Sequence, residues 1–352
     1  MIDIEEIIRR VPLFAGLDAD ELHYVLRVAR RLEFAAGATL LRQGQAADSA
    51  LILEDGHVSI VSNLPGGGEV VIAELGPGSV LGEMALLDSG VRSANVIALE
   101  PTACLSMERD AFRLLIAQGN RTALAINHRI TLGLCRRLRE LNGKILSHSA
   151  PEHLAAATSR HSRQTSQAQR QRCAFSPRAF LALLPALRQF SADDLDELSR
   201  VTKVFDLPRG AALFNAGDTS DACYVVVRGA LEISREQQGT HRRIGILGPG
   251  RLCGILALIE GLPHSMSATA RENATLMEIS QAVFSSYYSG NARGALKLQQ
   301  AVNQELLQAL ARTNNHLTRL ISQARIRDHG RHVDDVVGEL GRALCEQDCR
   351  AA

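Results

Sequence analysis

Two charged residues stand in an otherwise apolar run of the sequence, "LGEMALLDSGVRSANV", from Leu81 to Val96. Glu83 follows Gly82 directly, and Arg92 comes ten residues after that glycine. Backbone N–H groups at the start of a short helix attract anions, and an arginine fork returning across the next turn can hold a phosphate. A carboxylate beside that glycine suits a sugar hydroxyl better than a phosphate. The run therefore predicts a pocket for a nucleotide with a single phosphate.

A structural alternative stays open for the same two side chains. Glu83 and Arg92 would then form a half-buried salt bridge, and no ligand would bind between them. Ser93, directly after the arginine, adds a hydroxyl donor beside the expected phosphate. The run as a whole favours the ligand pocket over the salt bridge.

The sequence repeats itself at an offset of 173 residues and then of 172. The first copy has glycines that recur in the second, namely Gly37, Gly44, Gly56, Gly76, Gly78 and Gly82, which recur as Gly210, Gly217, Gly229, Gly248, Gly250 and Gly254. The missing residue falls in a predicted hairpin tip, "NLPGGGE" in one copy and "REQQGTH" in the other. Asp18 and Ser191 match as N-caps of a helix near the start of each copy. The chain therefore contains two copies of one domain.

The second copy has lost the charges of the first. Its matching run is "CGILALIEGLPHSMSA", residues 253–268, in which Ile255 takes the place of the glutamate. His264 takes the place of the arginine, and Met266 that of a small alanine. Histidine, with an ordinary pKa near 6.5, is a weaker phosphate partner than arginine. We expect the fold to persist here without the nucleotide binding predicted for the first copy, and a different ligand stays an open alternative.

The elements that must position these residues are short strands and long helices. Segments such as "HVSIV" and "ACYVVVRGALEIS" are β-branched and bounded by glycines, which is typical of a small barrel. Apolar residues step by three and four in two long helices, at Leu134, Leu138, Leu141 and Ile145, and at Leu306, Leu310, Leu317 and Leu320. The predicted fold is mixed α+β: two tandem jelly-roll-like β-barrels, each flanked by N-terminal helices and a long C-terminal helix. The helical stripes fit either an intramolecular core or a homodimer through helices 120–146 or 295–325.

The predicted domains follow from the repeat and from composition. A stretch rich in Ser, Gln, Ala and Arg separates the copies and predicts a flexible linker. The expected divisions are a first domain at 1–146, the linker at 147–175, a second domain at 176–327 and a helical tail at 328–352.

Composition excludes several classes of protein. Of the 352 residues, 39 are Lys or Arg and 38 are Asp or Glu, so no global basic field favours nucleic acid. The seven cysteines are an odd number without paired spacing, which indicates reduced thiols in a cytoplasmic protein. Cys345 and Cys349 lack further ligands for a metal site. With no apolar run long enough for a membrane span and no catalytic constellation, we expect neither a membrane protein nor an enzyme.

The pattern Gly-Glu-x-Ala-Leu followed by Arg-Ser-Ala resembles the cyclic nucleotide-binding domain family, which includes catabolite activator proteins and kinase regulatory subunits. The resemblance covers about Ile7 to Leu146 and departs from the family at Val91, where proline is common. It implies that Arg92 holds the cyclic phosphate and Glu83 the ribose 2′-hydroxyl. The further contacts that it implies are backbone groups of Gly82, Met84 and Ala85 and the side chain of Ser93.

The same resemblance gives an expectation about the base. Asn142 aligns roughly with the family's adenine contacts on the helix after the barrel, although a surface role fits it equally well. Family members that prefer cGMP tend to carry threonine after the arginine, so Ser93 favours cAMP mildly over cGMP. The ligand expected from the sequence is cAMP, with cGMP as the alternative.

The sequence also bears on how the protein would pass on a signal after ligand binding. The chain after Gln323 shows no helix-turn-helix pattern, so DNA binding is not expected. The sequence predicts a cytoplasmic, bacterial cAMP receptor or adaptor whose first domain binds cAMP and which signals through an unidentified protein partner. The alternatives are a tandem-domain scaffold that binds no nucleotide and a kinase-regulatory type of protein.

Overall fold

The computed structural model describes residues 11, 14, 17–63, 69–88, 90–148, 171–172, 177–182, 187, 190–237, 240–288 and 293–327. Described residues before Leu134 belong to one compact unit, and Leu134–Leu320 form the other. The predicted tail at 328–352 and almost all of the predicted linker at 147–175 lie outside the described residues. The predicted domain limits stay predictions.

The first unit builds a barrel from two antiparallel four-stranded sheets. Its strands are β1 (Arg30–Phe34), β2 (Thr39–Leu41), β3 (Ser49–Asp55), β4 (Val58–Asn63), β5 (Glu69–Leu75), β6 (Val80–Leu81), β7 (Asn95–Ala98) and β8 (Thr102–Glu108). One sheet has the order β1-β8-β3-β6 and the other β2-β7-β4-β5. Every neighbouring pair in these sheets is antiparallel, as a jelly roll requires.

The core of this barrel follows the period of two that strands impose. Leu51 and Leu53 on β3 point inward with Val58 and Ile60 on β4, and all four are at most 4% exposed. Alternate residues of a strand face the same side of the sheet, so one face of each strand supplies the core. The run from Leu81 to Val96, called the first cassette below, joins the same core, because Leu81 is buried in it. Residues 253–268 are called the second cassette.

Helices come before and after the barrel strands in the sequence. Helix α1 (Ala19–Val28) begins with a capping box in which Asp18 and Glu21 exchange hydrogen bonds with each other's backbone N–H. Helices α2 (Arg109–Ala117) and α3 (Arg121–His148) follow β8. Asn120 accepts a hydrogen bond from the backbone N–H of Ala123 and so caps α3.

The apolar stripe of α3 is buried within the chain. Leu134, Leu138, Leu141 and Ile145 are each at most 4% exposed. This burial favours the intramolecular core over a dimer seam for these four residues. None of the described helices is long and apolar enough to cross a membrane.

The second unit repeats the architecture. Its strands are β9 (Gln171–Arg172), β10 (Lys203–Leu207), β11 (Ala212–Phe214), β12 (Ala222–Arg228), β13 (Leu231–Gln237), β14 (Thr240–Leu247), β15 (Leu252–Cys253), β16 (Ser267–Ala270) and β17 (Ala274–Ser280). Its helices are α4 (Pro177–Leu181), α5 (Ala192–Val201), α6 (Ile255–Glu260), α7 (Gln281–Tyr288) and α8 (Arg293–Arg327), although residues of α8 from Ile321 onward are grouped with the first unit. The sheet orders are β15-β12-β17-β10-β9 and β11-β16-β13-β14.

The strand positions confirm the internal repeat. Strands β10 to β13 each begin 173 residues after β1 to β4, and strands β15 to β17 begin 172 residues after β6 to β8. Ser191 caps α5 with a capping box, as Asp18 caps α1. The tips of the two hairpins, 64–68 and 238–239, lie outside the described residues. The predicted fold class, two tandem β-barrels with flanking helices, is confirmed.

Candidate functional site

The first cassette is a tight turn between two barrel strands. After β6 the chain passes through Gly82, whose φ of +69° lies in the left-handed region, and enters a 3₁₀ turn, Glu83–Leu86. Glycine adopts this conformation without the steric penalty that other residues pay there. The prediction of a glycine that opens a short helix is therefore confirmed at Gly82.

The backbone of Arg92 is held from both sides. Its N–H donates to the carbonyl of Gln45 at 2.8 Å, and its own carbonyl accepts from the N–H of Gly44 at 2.9 Å. An isolated antiparallel bridge joins the neighbouring residues Ala46 and Val91. These bonds fix the direction in which the arginine side chain leaves the strand edge.

The guanidinium of Arg92 is buried, and its hydrogen-bonding groups are only partly satisfied. Arg92 is 7% exposed, and its Nη2 donates to Asp48 Oδ1 at 3.2 Å and to Ser49 Oγ at 3.1 Å. Nη1 is buried without a hydrogen-bond partner. A side chain on Gly82 would overlap this same Nη1 atom, so Arg92 sits directly against the glycine. Buried polar groups are rarely left unpaired, and an unpaired one requires an explanation.

The charge of Arg92 is only partly balanced within the protein. Burial lowers the pKa of its guanidinium, and the carboxylates of Asp48 and Glu108 offset only part of that effect. Arginine stays protonated in proteins, so the site keeps a positive charge. The Asp48 side chain is 67% exposed, which weakens its pairing with Arg92 through solvent screening. A buried guanidinium whose Nη1 has no hydrogen-bond acceptor is suited to bind an anion.

The other predicted contacts surround this point, with one exception. Gly82, Glu83 and Met84 are partly exposed, Ala85 is buried and Ser93 is exposed. All five are close in sequence to the 3₁₀ turn or to the arginine. Asn142 lies in the part of α3 that belongs to the second unit, so its contact with the base stays a prediction. The individual ligand roles of these residues also stay predictions.

Sequence reasoning missed two side chains that hold Arg92. Asp48 and Ser49 stand just before and at the start of β3, more than 40 residues from the arginine. The repeat carried a signal for the first of them, since Asp48 corresponds to Asp221 at the 173-residue offset. Ser49 corresponds to Ala222, so the second copy lacks that hydroxyl.

The second cassette keeps the backbone of the first. Gly254 has a φ of +83° and precedes α6, as Gly82 precedes the 3₁₀ turn. The N–H of His264 donates to the carbonyl of Asp218 at 2.9 Å, and its carbonyl accepts from Gly217 at 2.8 Å. These bonds match those around Arg92 at the repeat offset. The frame of the cassette is therefore preserved.

The side chains of the second cassette fill the space differently. The His264 ring stacks on Phe214, with 3.7 Å between centroids and 7° between planes. Phe214 corresponds to Leu41, a smaller residue that lies beside Gly82 in the first copy. Burial lowers the pKa of His264, against a smaller opposite effect of Asp218 and Asp221. Burial therefore favours the neutral form of this ring, in a position where the first cassette holds a cation.

The chain thus contains two β-barrel domains of one plan, one of which holds a buried cation suited to an anionic ligand. The family model of the cyclic nucleotide-binding domain matches residues 31–119 and 204–291, which is just over half of the chain. The chain belongs to the cyclic nucleotide-binding domain family and carries two tandem copies of its domain.

Individual relatives match parts of the chain. The cyclic AMP receptor protein of Thermus thermophilus is 36% identical over 129 residues, which cover 37% of this chain and 58% of that protein. A cAMP-dependent protein kinase regulatory subunit of Yarrowia lipolytica is 23% identical over 259 residues, covering 74% of this chain and 54% of that protein.

A solved structure also matches most of the chain. The regulatory domain of Toxoplasma gondii PKA with cAMP is 19% identical, with 88% of this chain and 95% of that chain covered and a TM-score of 0.32. The chain spans less than two thirds of the length of the first curated relatives that it matches.

Proposed function

We propose that the first domain binds cAMP and that the chain is a cyclic-nucleotide-controlled regulatory protein. The observation that carries this proposal is the buried guanidinium of Arg92, whose Nη1 lacks a partner and lies against Gly82. A phosphate oxygen at this position would accept from Nη1 and would neutralise the remaining charge. The family to which the chain belongs supplies the class of ligand.

The rest of the pocket follows the roles implied by the resemblance. Glu83 accepts from the ribose 2′-hydroxyl, and Ser93 donates to the phosphate. Serine rather than threonine after the arginine supports cAMP over cGMP, as do relatives whose names refer to cAMP. The resemblance also implies an adenine contact for Asn142, which stays a prediction from the sequence.

The second domain is proposed to bind no cyclic nucleotide. Ile255 is buried and supplies no carboxylate, and His264 is engaged with Phe214. The output is proposed to be a change in protein contacts rather than catalysis. Ligand binding would favour one of two arrangements of α3 on its barrel, which changes the surface offered to a protein partner.

Calorimetry with cAMP and cGMP tests the site. We expect Arg92→Leu to weaken cAMP binding by about ten- to a hundredfold, since a hydrogen bond to a charged group contributes about 1.5–3 kcal/mol. Arg42→Leu is the matched control, because Arg42 is an exposed arginine of the same barrel. Undiminished binding by Arg92→Leu would overturn the assignment.

A scaffold that binds no nucleotide is the second candidate. The observation in its favour is the second cassette, which shows that this fold can keep its frame with its own side chains in the pocket. A ligand that binds the folded state raises the temperature of unfolding. The scaffold is supported if neither cAMP nor cGMP, at about 1 mM, stabilises the chain in a thermal shift experiment.

A further inference from the structure

Helix α3 belongs to both compact units. It begins at Arg121 in the first unit, and its residues from Leu134 onward are part of the second. Gly133 stands at this boundary, in the interior of a 28-residue helix. Glycine in a helix interior weakens the helix locally. The C-terminal half of α3, from Leu134 onward, is therefore the part whose contacts with the second unit can be examined separately.

One side chain of this half reaches the second cassette. Arg139 Nε donates to Glu260 Oε2 at 3.0 Å, and its Nη2 donates to the same oxygen. Arg139 Nη1 donates to the carbonyl of Pro263 at 3.3 Å. Glu260 ends α6, and Pro263 directly precedes His264. The guanidinium of Arg139 thus hydrogen-bonds to both ends of the segment Glu260–Pro263, which leads from α6 to His264.

This contact is well buried for an ion pair. The Glu260 side chain is 8% exposed and that of Arg139 is 25% exposed. A carboxylate that is desolvated to this extent depends on its partner, because removing one member of a buried pair leaves an uncompensated charge. Arg139 is therefore not a typical exposed surface arginine with little energetic effect.

Two further contacts hold the same half of the helix. Cys135, one turn before Arg139, is fully buried, and burial together with Glu260 raises the pKa of its thiol. At the end of the helix, Arg242 on β14 donates from Nη1 to the carbonyl of Leu146. Both observations concern residues that cluster with the second unit.

We propose that the second cassette has become a dock for the C-terminal half of α3, with Arg139 as the clamp. The segment that carries the phosphate-binding arginine in the first domain here carries the receptor for an arginine of this chain. Arg139 then connects the helix that follows the first barrel to α6 of the second domain. The transmission of a ligand signal along this connection rests on the proposed function, whereas the dock does not.

Hydrogen exchange on the full chain without ligand tests the dock. We expect Arg139→Leu to speed amide exchange in Ile255–Glu260 and in residues 134–146 by about tenfold or more, since it breaks charged hydrogen bonds. Arg136→Leu, an exposed arginine on the same helix, is the matched control and leaves both segments protected. Unchanged protection in Arg139→Leu would overturn the dock.

A double-mutant cycle guards against general destabilisation. Once Glu260→Gln has removed the carboxylate, Arg139→Leu is expected to add little to the exchange rates, because the two residues act as a pair. Fully additive effects of the two substitutions would mean that Arg139 acts elsewhere, and would overturn its role as the clamp.

A third measurement separates this inference from the proposed function. In the wild type, cAMP is expected to change exchange in Ile255–Glu260, whereas Arg139→Leu still binds cAMP by calorimetry but shows no change there. A chain that binds no cAMP contradicts the proposed function and leaves the dock to the first two tests. If cAMP changes the amide exchange of Ile255–Glu260 equally in Arg139→Leu and in the wild type, the signal does not pass through Arg139.

Discussion

At the scale of single residues, Arg92 combines a fixed backbone with an unsatisfied side-chain group. Hydrogen bonds to Gly44 and Gln45 hold its backbone, and Asp48 and Ser49 hold one edge of its guanidinium. The other edge is left without a partner. Such preorganisation lowers the entropic cost of binding, because the ligand does not have to order the arginine.

Gly82 should tolerate no side chain in this arrangement. We expect Gly82→Ala to weaken cAMP binding at least as much as loss of one charged hydrogen bond, because the new methyl group displaces Arg92 Nη1. The left-handed φ adds a destabilisation of about 1 kcal/mol. Calorimetry and urea unfolding measure the two effects.

Gly90→Ala is the matched control for this substitution. An added Cβ on Gly90 meets no atom within 4 Å, and Gly90 lies in the same cassette. Equal affinity of Gly82→Ala and Gly90→Ala for cAMP would contradict the position of Arg92 described above.

His264 makes the stability of the chain depend on pH. Its pKa is lowered in the folded state, chiefly by burial and to a small extent by Arg139, while Asp218 and Asp221 act in the opposite direction. The unfolded chain therefore binds a proton that the folded ring resists, and the unfolding free energy falls as the pH drops below about 6.5.

His264→Phe should reduce this dependence while keeping a ring against Phe214. The measurement is urea unfolding of the full chain at pH 7.5 and 5.5, and the expected result is a smaller loss of stability at the lower pH. The dependence of the unfolding free energy on pH should become weaker but not disappear, because burial also lowers the pKa of His128. An unchanged slope would show that His264 is not held neutral by its surroundings.

At the scale of elements, the sequence predicted the parts that repeat and missed the contacts that join distant segments. The N-caps Asp18 and Ser191 and the glycine before each cassette helix are local signals, and the structure confirms them. The pairing of Arg92 with Asp48 spans 44 residues, and the stack of His264 on Phe214 spans 50. Contacts of that kind depend on the register of strands, which no local motif records.

The stability of helix α3 can be changed by a single substitution at Gly133. We expect Gly133→Ala to stabilise it by up to about 1 kcal/mol, since alanine favours a helix interior and an added Cβ meets no atom within 4 Å. Amide exchange near the boundary of the two units should slow. Gly143→Ala, in the same helix and equally free of contacts, should leave exchange at that boundary unchanged. Equal effects of the two substitutions at the boundary would argue against a weak point at Gly133.

At the scale of the whole molecule, two barrels with one backbone plan carry different cassettes. The first presents a guanidinium with one unpaired nitrogen, and the second fills the corresponding space with a histidine–phenylalanine stack. Family membership is shared by both, so the difference in ligand binding that we propose depends on individual side chains. The predicted cytoplasmic location, bacterial origin and homodimer stay predictions.

This difference predicts the stoichiometry of binding. We expect one cAMP per chain in calorimetry, because the second cassette offers no cation and no carboxylate at the matching positions. His264→Leu should leave both the stoichiometry and the affinity unchanged. Two equivalent sites per chain, or loss of binding in His264→Leu, would contradict this distribution of roles.

The matching strand positions of the two barrels also suggest how the second pocket could be engineered. The second barrel retains Asp221 and Gly254, which correspond to Asp48 and Gly82. The residues in which it differs at the pocket can be replaced by their first-copy counterparts, namely Phe214→Leu, Ala222→Ser, Ile255→Glu and His264→Arg. A chain with these four substitutions would be a template for a biosensor with two nucleotide sites. In such a chain, the second cassette would both bind a nucleotide and anchor helix α3.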